Sequence, residues 1–297
     1  MKVLVLGASG YIGSSVAGSL VRAGHQVIGQ TRDTGKWGKL FERNEIEVLE
    51  SDPVSDDKWL KDLQSIDVVV DCLGGASLSE LSIKLIKKAE NAERDATAAK
   101  LAYVWTSGVW LHGDNRFELV TDGSETTHPP KKVAWRPVVE NYLVASKLLD
   151  GVVIRPGLVY GRQSNVVGML FSQIAASGKI EWPGIPGGRY ATVHVDDLGE
   201  LYRLAVEKYP LVKGLKIEGS NTTTESVDTL LSHLVALTGV PSYSYKEPES
   251  SFEIALAATC IVRGTFARSI LGWYPSKPSL IDGLPIYYKA FLAGNIE

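Results

Sequence analysis

Three glycines spaced three apart, Gly7, Gly10 and Gly13, stand in "GASGYIG" directly after the apolar run Lys2–Leu6. The chemistry this spacing serves is diphosphate binding. A tight turn brings backbone N–H groups against the ligand, and a helix starting there adds further donors. Gly7, Ser9, Gly10, Tyr11, Ile12 and Gly13 are therefore the expected dinucleotide cradle. A second polar cluster, Thr31, Arg32 and Lys36, follows the next apolar run. An NAD site places a carboxylate there for the ribose 2′-hydroxyl, whereas an NADP site places a cation. Arg32 and Lys36 favour NADP over NAD, although Asp33 is close enough in sequence to pair with the arginine instead. Asp52, after a third short run, either bounds an adenine pocket or is an exposed loop acid. Cys72, Gly74 and Gly75, after a fourth, leave room for the dinucleotide to cross the sheet edge. Thr106 and Ser107 end "LAYVWTS", at the strand terminus where an open parallel sheet presents ligand-facing groups.

For these residues to meet, strands and helices must alternate beneath them. Strands are expected at 2–6, 25–30, 46–49, 68–72, in "LAYVWTS" and in "GVVIRP". Helices are expected at about 12–23, at 78–88 with 89–99 as an extension, and at 134–149 with Val138, Val139, Tyr142, Leu143 and Leu149 as anchors. This order predicts an α/β fold, a doubly wound Rossmann-type parallel sheet with helices on both faces. Further on, helical periods cover 169–177, 198–208, 227–238 and, interrupted by glycine, 254–271, while "LKIEG" reads as a strand. Residues 1–165 are expected to form mainly the dinucleotide-binding core. Residues 166–297 form mainly a smaller C-terminal substrate lobe, interleaved with final core elements around 190–220.

The stretches "VLVLGASGYIG", "YVWTSG", "VIRPGLVYG", "VHVDDLGELY" and "LGWYPSK" occur in an order that resembles the short-chain dehydrogenase/reductase superfamily. The likeness is to an atypical offshoot of its extended branch, the nucleotide-sugar epimerases and dehydratases. Members use a tyrosine to exchange a proton with a carbonyl or alcohol, a lysine four residues later to lower its pKa and bind the nicotinamide ribose, and a serine near the fifth strand's end. If Glu140 matches the glutamate that follows this pair, Lys132 falls in the tyrosine position and Arg136 in the lysine position. The nearest serine position holds Gly108, with Thr106 and Ser107 just before it. Tyr142 has its next lysine at the wrong spacing and reads as a packing residue.

The resemblance thus implies a catalytic set of Ser107, Lys132, Arg136 and Tyr160. Arg136 orients the ribose or polarises an oxygen but is too basic to relay a proton. Ser107 or Thr106 holds the substrate oxygen. Lys132, provided that burial beside Arg136 makes its ammonium more acidic, Tyr160 or water delivers the proton. Trp110, His112 and Tyr190 are substrate contacts or loop anchors. His194 with Asp196 or Asp197 has the chemistry of an acid–base pair, but the resemblance implies that this segment mainly organises the sheet and a nearby helix.

Over 297 residues, 31 basic and 34 acidic side chains leave a formal charge of -3, which gives no broad positive field for nucleic acid. No run of about 18 apolar residues and no leader-like segment is visible, so no membrane insertion and a cytoplasmic or otherwise soluble intracellular setting are expected. The 2 cysteines define no disulfide framework, and no Cys/His spacing suggests a metal. The functional reading is an NADP-binding oxidoreductase-like protein that reduces a small carbonyl compound with nonstandard proton donation. Its alternatives are a non-catalytic NADP-dependent binding or regulatory protein and an epimerase/dehydratase-like isomerase. A homodimer follows from the resemblance alone.

Overall fold

The computed structural model describes all residues except 62, 76–77, 95–96, 127, 163–165 and 295–297. Its first five strands are β1 (Lys2–Leu6), β2 (Gln26–Thr31), β3 (Glu47–Glu50), β4 (Val68–Asp71) and β5 (Ala102–Thr106). After an outlying β6 (Asn115–Val120) comes β7 (Asp150–Pro156). The short strands β8 (Leu158–Tyr160), β9 (Ile180–Pro183) and β10 (Arg189–His194) precede β11 (Lys216–Gly219). One 7-stranded sheet has the order β11-β7-β5-β4-β1-β2-β3, with every neighbouring pair parallel.

The side chains explain why this sheet lies buried on both faces. Val3 and Val5 pack in one cluster with Val68, Val70, Ala102, Val104, Val152 and Ile154. The alternate residues Leu4, Leu6, Val69, Tyr103, Trp105 and Val153 pack in the other. Such a period of two, apolar on both sides, is what helices covering each face of a parallel sheet demand. The first face is covered by α1 (Tyr11–Arg22) and Phe41 of α2 (Thr34–Arg43), and the second by α3 (Leu78–Glu90) and α4 (Arg136–Val144). This is a doubly wound, Rossmann-type α/β fold.

A second core gathers around α5 (Val166–Ser177) and, after α6 (Val195–Glu207) and α7 (Tyr209–Val212), around β12 (Thr224–Ser226), α8 (Val227–Thr238), β13 (Tyr243–Lys246) and α9 (Ser251–Ala257). The chain ends in β14 (Cys260–Val262), α10 (Phe266–Ser269) and α11 (Leu284–Gly294). α6 belongs to the main core and packs along α1. The Ser15 hydroxyl donates to the Val195 carbonyl at 2.9 Å, and a Cβ on Gly199 would lie 2.7 Å from that hydroxyl.

Two expected helices are corrected. The one placed at 134–149 spans only Arg136–Val144, because Pro137 confines the helix start to its own first turn and the Ser146 hydroxyl accepts the N–H of Leu148 and Leu149 beyond the end. The one placed at 254–271 breaks into α9, β14 and α10. The β-branched pair Ile261 and Val262 joins β6 in a parallel ladder, and Gly264 is pressed against the Glu218 carbonyl, where a Cβ would come within 2.5 Å. The helix at 78 ends at Glu90; its expected extension to 99 includes residues 95 and 96, which lie outside the described set. Among the described residues no helix is long and apolar enough to cross a membrane, and no His, Cys, Asp or Glu cluster could hold a metal ion.

Candidate active-site cleft

The sheet order reverses between β1 and β4, and their C-terminal ends lie side by side, with the Cys72 N–H donating to the Leu6 carbonyl at 3.0 Å. Ligands of open α/β sheets bind at such a switch point. A cleft of about 790 Å³ opens there, bounded by Gly10, Tyr11 and Ile12, by Cys72 to Gly75, by Thr106 to Trp110, and by Lys131, Lys132 and Arg136.

The glycine turn is built as a cradle. Gly7 has φ +74°, a left-handed conformation suited to glycine, and its N–H donates to Gln30 Oε1 at 2.8 Å. A Cβ on Gly13 would come within 2.1 Å of the Gly7 carbonyl, so α1 can approach the turn only without a side chain there. Gly10 is the N-cap of α1 and brings no side chain to cap it, leaving the helix's positive end for an anion. These features fit a dinucleotide diphosphate. Ser9 adjoins Thr31, whose hydroxyl donates to Ser9 Oγ at 3.4 Å, and Tyr11 donates its hydroxyl to the Gly161 carbonyl at 2.7 Å.

At the end of β2, Arg32 and Lys36 are both exposed. Asp33 does not pair with Arg32 among the described residues; its carboxylate caps α2 by accepting the Lys36 N–H at 2.9 Å. Asp52 is absent from the cleft lining. Its oxygens accept the Val54 N–H and the Ser55 hydroxyl, both at 3.2 Å, within its own turn.

A polar cluster underlies the middle of the cleft. Asp71 is buried, accepts the Tyr103 hydroxyl at 2.9 Å and the Leu73 N–H at 3.0 Å, and is pushed up to about 6 by desolvation, which these hydrogen bonds and the Arg136 charge only partly oppose. Thr106 donates to the Asp71 carbonyl at 2.6 Å and accepts from Tyr202 at 2.7 Å, so its hydroxyl is committed to the scaffold rather than open to substrate. Cys72 borders the cleft, but burial raises its thiol to about 12 and leaves no thiolate. Arg136 donates to the Thr106 carbonyl at 3.1 Å with its guanidinium 4.8 Å from the Trp135 ring and 5.6 Å from Trp105; desolvation lowers it to about 10, still a cation at neutral pH. Ser107 lines the cleft with a buried Oγ that has no hydrogen-bond partner among the described residues. An orphaned buried hydroxyl costs free energy unless a ligand satisfies it. Lys132 also lines the cleft, yet it is exposed, so the burial on which its expected acidity depended is missing.

Burial corrects the role expected of Tyr160 and, of the two alternatives for His112 and Tyr190, leaves them as anchors. Tyr160 is 0% exposed; its hydroxyl donates to the Pro278 carbonyl at 2.8 Å and accepts from Asn221 at 3.2 Å, and desolvation pushes it well above the usual phenol range. It packs the second core and cannot deliver a proton to the cleft. His112 points instead at Glu218, 2.8 Å away, in a buried chain where Arg155 bonds both Glu218 and Glu140. Tyr190 packs edge-on against Trp182 in the second core. His194 and Asp197 serve the scaffold: the His194 Nδ1 accepts the Asp196 N–H at the start of α6, and Asp197 accepts from Ser276 and Lys277. Tyr142 donates to Glu90 at 2.6 Å, outside the cleft.

Sequence reasoning missed Asp71, Lys131, Met169 and Phe252. Asp71 did carry a signal, an acid ending the otherwise apolar "VVVD". Phe252 carried none, since only the fold of the smaller lobe brings it to the sheet edge.

The sequence profile of the NAD dependent epimerase/dehydratase family matches residues 3–215. The chain belongs to that family. It is 27% identical over 323 residues to the uncharacterized protein YLL056C of Saccharomyces cerevisiae, covering 97% of this chain and 99% of the relative. Eugenol synthase 2 of Clarkia breweri is 28% identical over 102 residues, 31% of this chain and 33% of that protein. The UDP-glucose 4-epimerase of Thermotoga maritima, solved with UDP-glucose, superposes with a TM-score of 0.78 at 22% identity, covering 100% of both chains. The UDP-glucuronic acid 4-epimerase of Bacillus cereus, solved with UDP-glucuronic acid and NAD, gives 0.78 at 18% identity over 99% of each chain. These structural likenesses establish the shared fold.

Proposed function

We infer that this chain binds NADP(H) across the switch point and reduces a small carbonyl compound. The observation that carries the reading is the orphaned Ser107 hydroxyl in a cleft also lined by Lys132 and Arg136. The cofactor, when bound, supplies the hydride. Gly7 to Gly13 hold its diphosphate through backbone N–H groups and the start of α1. Arg32 and Lys36 would meet the 2′-phosphate, beside an Asp33 carboxylate of which one oxygen is taken up in capping α2. Arg136, its guanidinium lying against the Trp135 and Trp105 rings, would hold the ribose. Ser107 would donate a hydrogen bond to the substrate carbonyl oxygen, and the Lys132 ammonium would give that oxygen the proton which, with the hydride the cofactor supplies, makes the alcohol; Lys132 would then be reprotonated from solvent. Substrate binding covers Lys132 in this scheme and supplies the desolvation that the open cleft lacks.

Calorimetric titration with NADPH and NADH tests the cofactor assignment. NADPH is expected to bind more tightly, and Arg32→Ala to weaken NADPH by roughly tenfold, about 1.4 kcal/mol, with NADH unchanged. Equal affinity for both cofactors in the parent chain overturns it. Oxidation of NADPH across a carbonyl panel, abolished by Ser107→Ala, tests the chemistry. Family membership favours one second reading, an interconversion in which a retained cofactor is reduced and reoxidised within each cycle. Product formation with no net consumption of cofactor would select it.

A further inference from the structure

The residues around the cleft divide by chemistry. Its cations, Lys131, Lys132 and Arg136, all lie on α4 and the segment leading into it. The wall contributed by the smaller lobe and the turn after β5 is mainly apolar, with Trp110, Leu158, Val166, Met169 and Phe252 beside the hydroxyls of Ser107 and Ser251. Trp110 and Phe252 meet edge to face, with centroids 5.8 Å apart and planes at 72°. Met169 lines the cleft while 54% exposed, a flexible and polarizable side chain at the mouth of the site. Among the described residues, no lysine or arginine lines this wall. A diphosphate pressed against it would shed hydration and gain no counter-charge.

We propose that this wall is the substrate subsite and that it takes a neutral, planar aromatic carbonyl compound rather than a nucleotide-linked sugar. The proposal rests on the reductase reading above and names its substrate class. A ring seated here packs its face or edge against Trp110 and Phe252, with the Met169 thioether closing over it. Its carbonyl then extends toward Ser107, which lies three residues before Trp110 on the same turn. Reduction proceeds as written for Ser107 and Lys132, and the only further reactant is the NADPH already named.

Binding, which is independent of turnover, provides the test. Cinnamyl alcohol, the neutral product form of a planar aromatic aldehyde, and UDP-glucose are titrated calorimetrically into the chain with and without NADPH. Cinnamyl alcohol is expected to bind and UDP-glucose not to. Phe252→Ala is expected to weaken cinnamyl alcohol about tenfold, and Phe252→Leu by less, both with NADPH affinity and far-UV circular dichroism unchanged. Binding of UDP-glucose in preference to cinnamyl alcohol, or an unaltered affinity in Phe252→Ala, overturns the subsite. Failure of NADPH to bind removes the reductase reading, and titration of the cofactor-free chain then decides the subsite by the same two criteria.

Discussion

At Asp71, burial and the Arg136 charge pull in opposite directions, since burial favours the neutral acid while the nearby guanidinium favours the carboxylate. Burial prevails, and the folded chain holds the Asp71 proton up to about pH 6 against an ordinary value of 3.8. A carboxyl whose folded pKa is raised takes up protons on folding, so its contribution to stability is greatest at low pH and declines as pH rises through that interval. Asp71→Asn removes the ionisation penalty and keeps the Leu73 contact, but it reverses the Tyr103 bond: the amide donates to the phenol oxygen and the Tyr103 proton loses its acceptor, a cost that does not vary with pH. Urea unfolding is expected to show the variant's stability relative to the parent about 1 kcal/mol higher at pH 7.5 than at pH 5. A gap independent of pH would place the titration of Asp71 elsewhere. At this scale the glycine turn was legible because Gly13 obeys a steric rule that any sequence must obey there. The roles of Thr106 and Tyr160 were not, because a hydroxyl's availability depends on which partner the fold sets against it.

Strands of the central sheet were legible for a related reason: burial on both faces leaves short uninterrupted apolar runs such as "VVV" at 68–70. β6 escaped notice because, of its residues, only Val120 is buried, while Phe117 is 95% exposed. The helix α6 illustrates an element whose start depends on a titratable group. His194 caps it by accepting the Asp196 N–H at 3.1 Å through Nδ1, and its ring lies 5.3 Å from Tyr160 and 5.4 Å from Tyr287. Gly161 leaves the space for that ring, since a Cβ there would sit 2.2 Å from Nε2. Desolvation holds His194 below its ordinary 6.5; Lys277 and Arg162 act in the same sense and Asp196 and Asp197 against it. Only neutral imidazole can accept at Nδ1. A base with a lowered folded pKa stabilises fully above its unfolded value, and that stability is lost as pH falls below about 6.5. His194→Asn keeps an acceptor at the cap and forfeits the ring contacts, at a cost of roughly 1–2 kcal/mol at pH 8. The deficit relative to the parent should shrink at pH 5.5 in urea melts. A deficit that stays constant or grows would show that protonation of His194 leaves the cap intact.

Across the whole molecule, the chain passes between the two cores repeatedly, so neither can open without exposing the other. β7 lies in the main sheet and β8, two residues later, in the second core; β10 runs into α6, which returns to the first. The stretch after α10 adds a clasp, with the Trp273 indole donating to the Asp197 carbonyl at 2.8 Å and the Asp197 carboxylate accepting from Ser276 and Lys277 at 2.8–3.0 Å. Such interleaving was only partly readable beforehand, because it is set by chain crossings rather than by any local pattern. It predicts one cooperative transition in spite of two cores. Far-UV circular dichroism reports both cores, and the fluorescence difference between the parent chain and Trp182→Phe reports the second, in which Trp182 is buried. Asp197→Ala, which removes three charge-assisted hydrogen bonds from the Ser276 and Lys277 groups, should lower both midpoints together, by about 2 kcal/mol of stability. NADPH at about 100 times its Kd should raise both together by about 2.7 kcal/mol, although the proposed diphosphate cradle lies wholly in the first core. Separate midpoints, or a ligand shift confined to one probe, would show that the smaller lobe unfolds on its own and that the cofactor acts on the sheet alone.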